Sequence, residues 1–194
     1  MSSALRSVVS LVVIAASALA TWVAVGLQPP PPLPPGEQVE SVFGFDTDAV
    51  VGISVRTWQG ALRAVRSDGH WQVVILELAP QVAPSESVPP PGQAAIDAAM
   101  DVLVRDVVGL PEVNSFESAA PLAEFGLDTP DASISLTLAS GATTTLEIGA
   151  RTTSAAGLYA RLRSSPEILQ IGGLLLTQTR TAFFHLRGLG GDVG

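Results

Sequence analysis

The chain has 194 residues, no cysteine and a net charge of −8 at neutral pH, and all ten of its basic residues are arginines. That length suits one domain of ordinary size once the N-terminal stretch is set aside. Without cysteine there is no disulfide framework, no thiolate metal site and no lipid-modified N-terminal cysteine, and the acidic balance argues against a nucleic-acid surface.

The charge is uneven. Sixteen acids against four arginines lie between Glu37 and Glu147, whereas Arg151, Arg161, Arg163, Arg180 and Arg187 face only Glu167 and Asp192 beyond them. Packing of the two halves would mix these charges on one surface. The sharper alternative is a basic strip that meets an acidic partner or lipid headgroups.

Residues 7–27 carry no charge and are predominantly apolar. As a helix rising about 1.5 Å per residue they would span the roughly 30 Å hydrocarbon core, which predicts a single N-terminal transmembrane anchor over residues 1–28. Arg6 before it and Glu37 and Glu40 after it put the N-terminus in the cytoplasm and the remainder outside, by the positive-inside rule. Trp22 sits where an indole suits the interface. A cleaved signal peptide is the rival, because Ala18-Leu19-Ala20 fits a small-x-small cleavage site; the apolar run continues to Leu27, longer than a usual signal core. Ala16, Ala20 and Ala24 at four-residue spacing are read as lipid-facing surface. Residues 29–45 form a proline-rich linker, whose PPPPLPP run is read as a stiff polyproline spacer in preference to the alternative, a Pro-x-x-Pro ligand for an aromatic groove.

A single α+β domain is expected over 46–188, with a disordered glycine-rich tail at 189–194. It opens with a three-stranded meander. Val51, Ile53 and Val55 alternate with Gly52, Ser54 and Arg56, Gln59-Gly60 turns the chain, Ala61 to Arg66 returns, and Ser67-Asp68-Gly69 turns it again into Trp71 to Leu78. Trp71 is read as core and His70 as a solvated turn residue. A long proline-rich loop follows at 79–92. The spacing of Ile96, Met100, Leu103 and Val107 predicts an amphipathic helix from Gln93 to Val108, ended by Gly109 and Pro111. Asp97, Asp101 and Arg105 share another face, read as solvated and ion-paired in preference to a metal or acid–base pair of carboxylates.

Pro130 excludes helix at Thr129 and opens a hairpin. Ile134, Leu136 and Leu138 share one face of its first strand, and Leu146 and Ile148 one face of its second, with Thr145 and Glu147 opposite. A two-residue Ser140-Gly141 loop would mix apolar and polar side chains on each face. A three-residue Ala139-Ser140-Gly141 loop sets Leu136 opposite Thr144 and Ile134 opposite Leu146, keeps the faces separate and puts Gly141 where a left-handed residue is needed. Leu158 to Leu162 and Ile168 to Ile171 are further strands, and Ser164-Ser165-Pro166 turns between them. A last helix follows Gly173, with Phe183 and Phe184 closing the core and His185 at its edge. The architecture expected is antiparallel meanders and hairpins with two amphipathic helices, preceded by one transmembrane helix.

Several pieces in this order resemble one family: a meander ending in SDGHWQV, a proline loop before an amphipathic helix, LAEFGLDTPDASISLTLASGATTTLEIG, GLYARL, EILQI and a terminal helix. The chain is similar, over roughly Val50 to Leu186, to the uncharacterised bacterial domain of unknown function 4340, most specifically in FGLDTP, the hairpin and the Ile148-Gly149 ending. The resemblance implies an N-terminal membrane anchor and, for some members, an accessory role beside ABC-type transport systems linked to gliding motility. It brings no catalytic residues.

No P-loop, dinucleotide glycine pattern, HExxH or Cys/His cluster is present, and no serine is set beside a base by sequence. No catalytic, cofactor or metal residue is assigned and no cofactor is expected. Three function classes follow. One is an anchored accessory or scaffold protein that docks a membrane-protein complex. Another is a binding module for cell-envelope polymer or lipid, using Tyr159, Arg161 and Arg163 on one strand face. The third is a hydrolase with an unrecognised site.

Overall fold

The computed structural model describes residues 41–80, 88–153 and 157–189. The anchor at 1–28, the linker up to residue 40, residues 81–87 of the proline-rich loop and the tail from residue 190 lie outside them. Among the described residues no helix is long and apolar enough to cross a membrane.

In chain order the elements are β1 (Val50–Thr57), β2 (Gly60–Ser67), β3 (His70–Leu78), α1 (Gln93–Val108), β4 (Glu112–Phe116), β5 (Ala132–Leu138), β6 (Thr143–Arg151), β7 (Gly157–Leu162), β8 (Ile168–Gly172) and α2 (Leu175–Leu186). The eight strands form one antiparallel sheet in the order β3-β2-β1-β5-β6-β7-β8-β4. Pairing of β1 with β5 fuses the N-terminal meander to the later hairpins.

Local chemistry sets the turns. Asp68 and Gly69 take positive φ of 53° and 83° between the paired residues Ser67 and His70, the two-residue turn that Asp-Gly favours. Leu136 lies opposite Thr144 and Ile134 opposite Leu146, the register of the three-residue loop, and Gly141 stands at φ 86°. α1 has the predicted bounds and buries Ile96, Met100, Leu103, Val104, Val107 and Val108.

Inward side chains of the sheet, among them Val55, Leu62, Trp71, Ile134, Leu136, Leu146, Ile148, Ala160 and Ile171, join those of α1 and α2 in one core. The helices therefore cover one face of the sheet and leave the other outward, an antiparallel arrangement that reads as α+β.

The structure corrects several local expectations. A bulge opposite Leu138 and Thr137 shifts the phase at the start of β1, so Val50 is core and Val51 only half-buried. Thr57 pairs with Gly60, which puts Trp58 and Gln59 at the first hairpin tip in place of Gln59 and Gly60. β4 was not expected; its polar EVNSF sequence forms an edge strand paired with β8. Phe183 is buried but Phe184 is 54 % exposed, with the Arg187 guanidinium 3.6 Å from its ring centroid. Adjacent helical positions are about 100° apart, so the core-facing stripe takes one ring and not both.

Residues 41–45 also belong to the body and not to the linker. Val42 and Phe43 are buried, the Val42 N–H donates to the Leu110 carbonyl at 3.0 Å, and the Ser41 hydroxyl donates to the Val108 carbonyl. At the other end Leu189 packs against the core, so the described body extends one residue past the expected boundary.

The outward face of the sheet

On the outward face the sheet register lines up one row of side chains. Arg56 on β1 pairs with Ser133 on β5, Ser133 with Glu147 on β6, and Glu147 with Arg161 on β7. Glu147 is 7 % exposed and is held by Arg161 Nη2 at 2.6 Å and Arg163 Nε at 2.8 Å. Burial works to raise its carboxyl, but the hydrogen bonds and charge of Arg161 and Arg163 outweigh that and hold it below the usual carboxylate range. Arg161 Nε is buried with no acceptor among the described residues. The Arg163 side chain is 66 % exposed and reaches Glu147 from the rim.

Of the three residues expected to form an interaction surface, Tyr159, Arg161 and Arg163, the structure joins the arginines on one carboxylate and gives the tyrosine a different task. Tyr159 sits edge-to-face with Phe125, ring centroids 5.1 Å apart, and with Phe116 at 6.5 Å. Phe125 ends a short 3-10 turn, Leu122–Phe125, that lies over the outward side of β6. There two glycines meet. Gly126 takes φ 67°, and a Cβ on it would lie 2.7 Å from the Ala150 amide; a Cβ on Gly149 would lie 2.8 Å from the Gly126 carbonyl and closer still to the Phe125 oxygen. Backbone rests on backbone at this crossing, which only glycine permits. FGLDTP and Ile148-Gly149, distant in sequence, touch here. Leu127 is buried just beyond.

At the other end of the row a cavity of about 330 Å³ opens between the β1–β2 tip and the start of β5, lined by Arg56, Trp58, Asp131, Ser133, Glu147 and Arg163 among others. Trp58 is 61 % exposed. Sequence reasoning reached only Arg163 of this group, because β1, β5 and β6 are brought together by a strand pairing that no local pattern encodes. A tryptophan at a hairpin tip was the available signal, since a tip has few neighbours to bury an indole.

The carboxylates of α1 are part-exposed and ion-paired as expected, Asp101 lying 3.7 Å from Arg66 with its side chain 44 % exposed, and they also hold β3. Asp97 accepts from the Trp71 amide at 2.7 Å and contacts His70 Nδ1 at 2.8 Å, and Asp101 accepts from the Trp71 indole N–H at 2.8 Å. The hydrogen bonds from His70 and the Trp71 amide lead the groups that hold the Asp97 carboxyl below its ordinary range. The pair thus clamps β3 to α1 around a buried indole, and His70, exposed beside the turn as expected, adds its contact with Asp97. Among the described residues no group of three or more His, Asp or Glu is placed to hold a metal ion.

No curated protein and no solved structure matches the chain. A family model does, over residues 111–187, from the start of β4 to the end of α2; the N-terminal meander and α1 fall outside the match, which is narrower than the resemblance read from the sequence. The crossing of FGLDTP over Gly149 lies within it, and that segment matches the family described as Domain of unknown function (DUF4340).

Proposed function

We propose that this chain is a membrane-anchored adaptor that acts outside the cytoplasm, without catalysis, and docks a subunit of a membrane complex on the outward face of its sheet. The uncharged run at 7–27 has the length and composition of a bilayer span. The family resemblance suggests an ABC-type transport or gliding-motility assembly as the complex.

The observation that carries the docking surface is the sheet itself. Its helices lie on one face, while the other displays Ser54, Arg63, Ser133, Ser135, Thr137 and Thr145, short hydroxyls bordered by an exposed arginine. Ser135 and Thr145 hydroxyls are hydrogen-bonded across the strands at 2.9 Å, which holds this face in one arrangement. A mostly polar surface ordered in this way loses less conformational entropy on docking than a free one.

Photo-crosslinking residues placed at Ser54 and Arg63 of the full-length chain in native membranes test this reading, with Ala98 on the exposed side of α1 as the control. Reproducible adducts with a membrane-complex subunit are expected from the two sheet positions and not from Ala98. Adducts from Ala98 alone would show that the helix layer docks the partner.

A further inference from the structure

The cavity at the β1–β2 tip carries a reading that stands whether or not the sheet face docks a protein. We propose that it binds an acidic saccharide, a sugar ring bearing a carboxylate.

The argument rests on which complementary groups the lining demands. Arg56 is exposed and makes no ion pair or hydrogen bond among the described residues. Arg163 spends its Nε on Glu147, which leaves its two Nη groups for another acceptor. Two guanidinium groups facing one cavity call for an anion with a planar pair of oxygens, the geometry that arginine recognises bidentately. Glu147 does not compete for them, because its two carboxylate oxygens are engaged by Arg161 and Arg163.

An anion alone does not satisfy the rest. Asp131 lines the same cavity, is exposed, and has no ion pair among the described residues. A carboxylate only accepts, so a ligand beside it must donate, and the Ser133 hydroxyl can do either. Trp58 offers more than half of its surface at the same place, an apolar plate with a π face. One ligand therefore has to bring an anionic group, several hydroxyl donors and a flat C–H face. A uronate sugar has all three. A simple phosphate lacks the face, and a neutral sugar lacks the charge. The volume of about 330 Å³ is near the lower end of small-molecule sites, which suits one or two rings and not a long polymer segment.

The test is calorimetric titration of the full-length chain in detergent with trigalacturonate, cellotriose, inorganic phosphate and alanyl-alanine. Trigalacturonate is expected to bind one to one, at least tenfold tighter than each of the other three. Arg56→Gln and Trp58→Ala are each expected to weaken it at least tenfold, and Arg56→Gln to leave the thermal midpoint within about 1 °C, because that side chain is exposed. Equal binding of phosphate would reduce the cavity to an anion site and overturn the saccharide, and tighter binding of the dipeptide would assign it to a zwitterion. Absence of trigalacturonate binding, or binding unaffected by both substitutions, would overturn the site. None of these results alters the crosslinks expected from Ser54 and Arg63, so the two readings fail separately.

Discussion

Gly149→Ala is expected to destabilise the body by about 3 kcal/mol, a fall of roughly 6–12 °C in thermal midpoint for a domain of this size. The added methyl would stand 2.8 Å from the Gly126 carbonyl, with the Phe125 oxygen nearer, and both obstacles are backbone that cannot rotate away. The Leu122–Phe125 turn would have to lift from β6, loosening the Phe125–Tyr159 contact and uncovering Leu127. Gly141→Ala is the control. Gly141 also has positive φ, at 86°, but nothing lies within 4 Å of its Cβ direction, so the cost is the left-handed backbone alone, about 1 kcal/mol. Thermal unfolding of the two variants separates the terms. Equal losses would mean that the crossing does not depend on close approach.

Glu147→Ala is expected to cost about 2 kcal/mol at neutral pH. Loss of one partner from a buried ion pair costs about 3–5 kcal/mol, and the value is reduced here because Arg163 is mostly in water and its share is screened. Glu147→Gln gives the pH signature. The folded-state carboxyl is held below its ordinary value, so between that lowered value and about 4.3 the unfolded chain binds more protons than the native one. Stability from this group is complete above about pH 5 and is lost as pH falls through the folded value. Asp97 is shifted in the same direction and contributes a slope of the same sign. The difference between wild type and Glu147→Gln in denaturant unfolding from pH 3 to 7 therefore isolates Glu147: a gap at pH 7 that narrows below pH 4.3. A gap constant with pH would show that the carboxylate charge is not what the arginines hold.

What could be read from the sequence was what neighbouring residues decide. The register of β5 and β6 follows from three loop residues and the parity of the flanking strands. The bounds of α1 follow from its apolar spacing and from Gly109. The structure decided what depends on distant contacts. β4 carries no apolar alternation because it is an edge strand, and its existence depends on β8. The roles of Asp97 and Asp101 depend on β3 delivering Trp71 to α1, where a part-exposed i, i+4 carboxylate pair also becomes a clamp. Likewise Tyr159, Arg161 and Arg163 were found on one face, but their division between an aromatic cluster and an ion triad required Phe125 and Glu147 from other segments. The cavity beside Trp58 is assembled entirely by such pairings.

Placement of the body across a bilayer from its N-terminus is tested most directly by fractionating cells that express the full-length chain and adding protease to their outer side. The chain is expected to stay with the membrane pellet after alkaline carbonate, with the body digested by the external protease and the N-terminus protected. Recovery of the full-length chain, residues 7–27 included, as a soluble cytosolic protein resistant to that protease would contradict it.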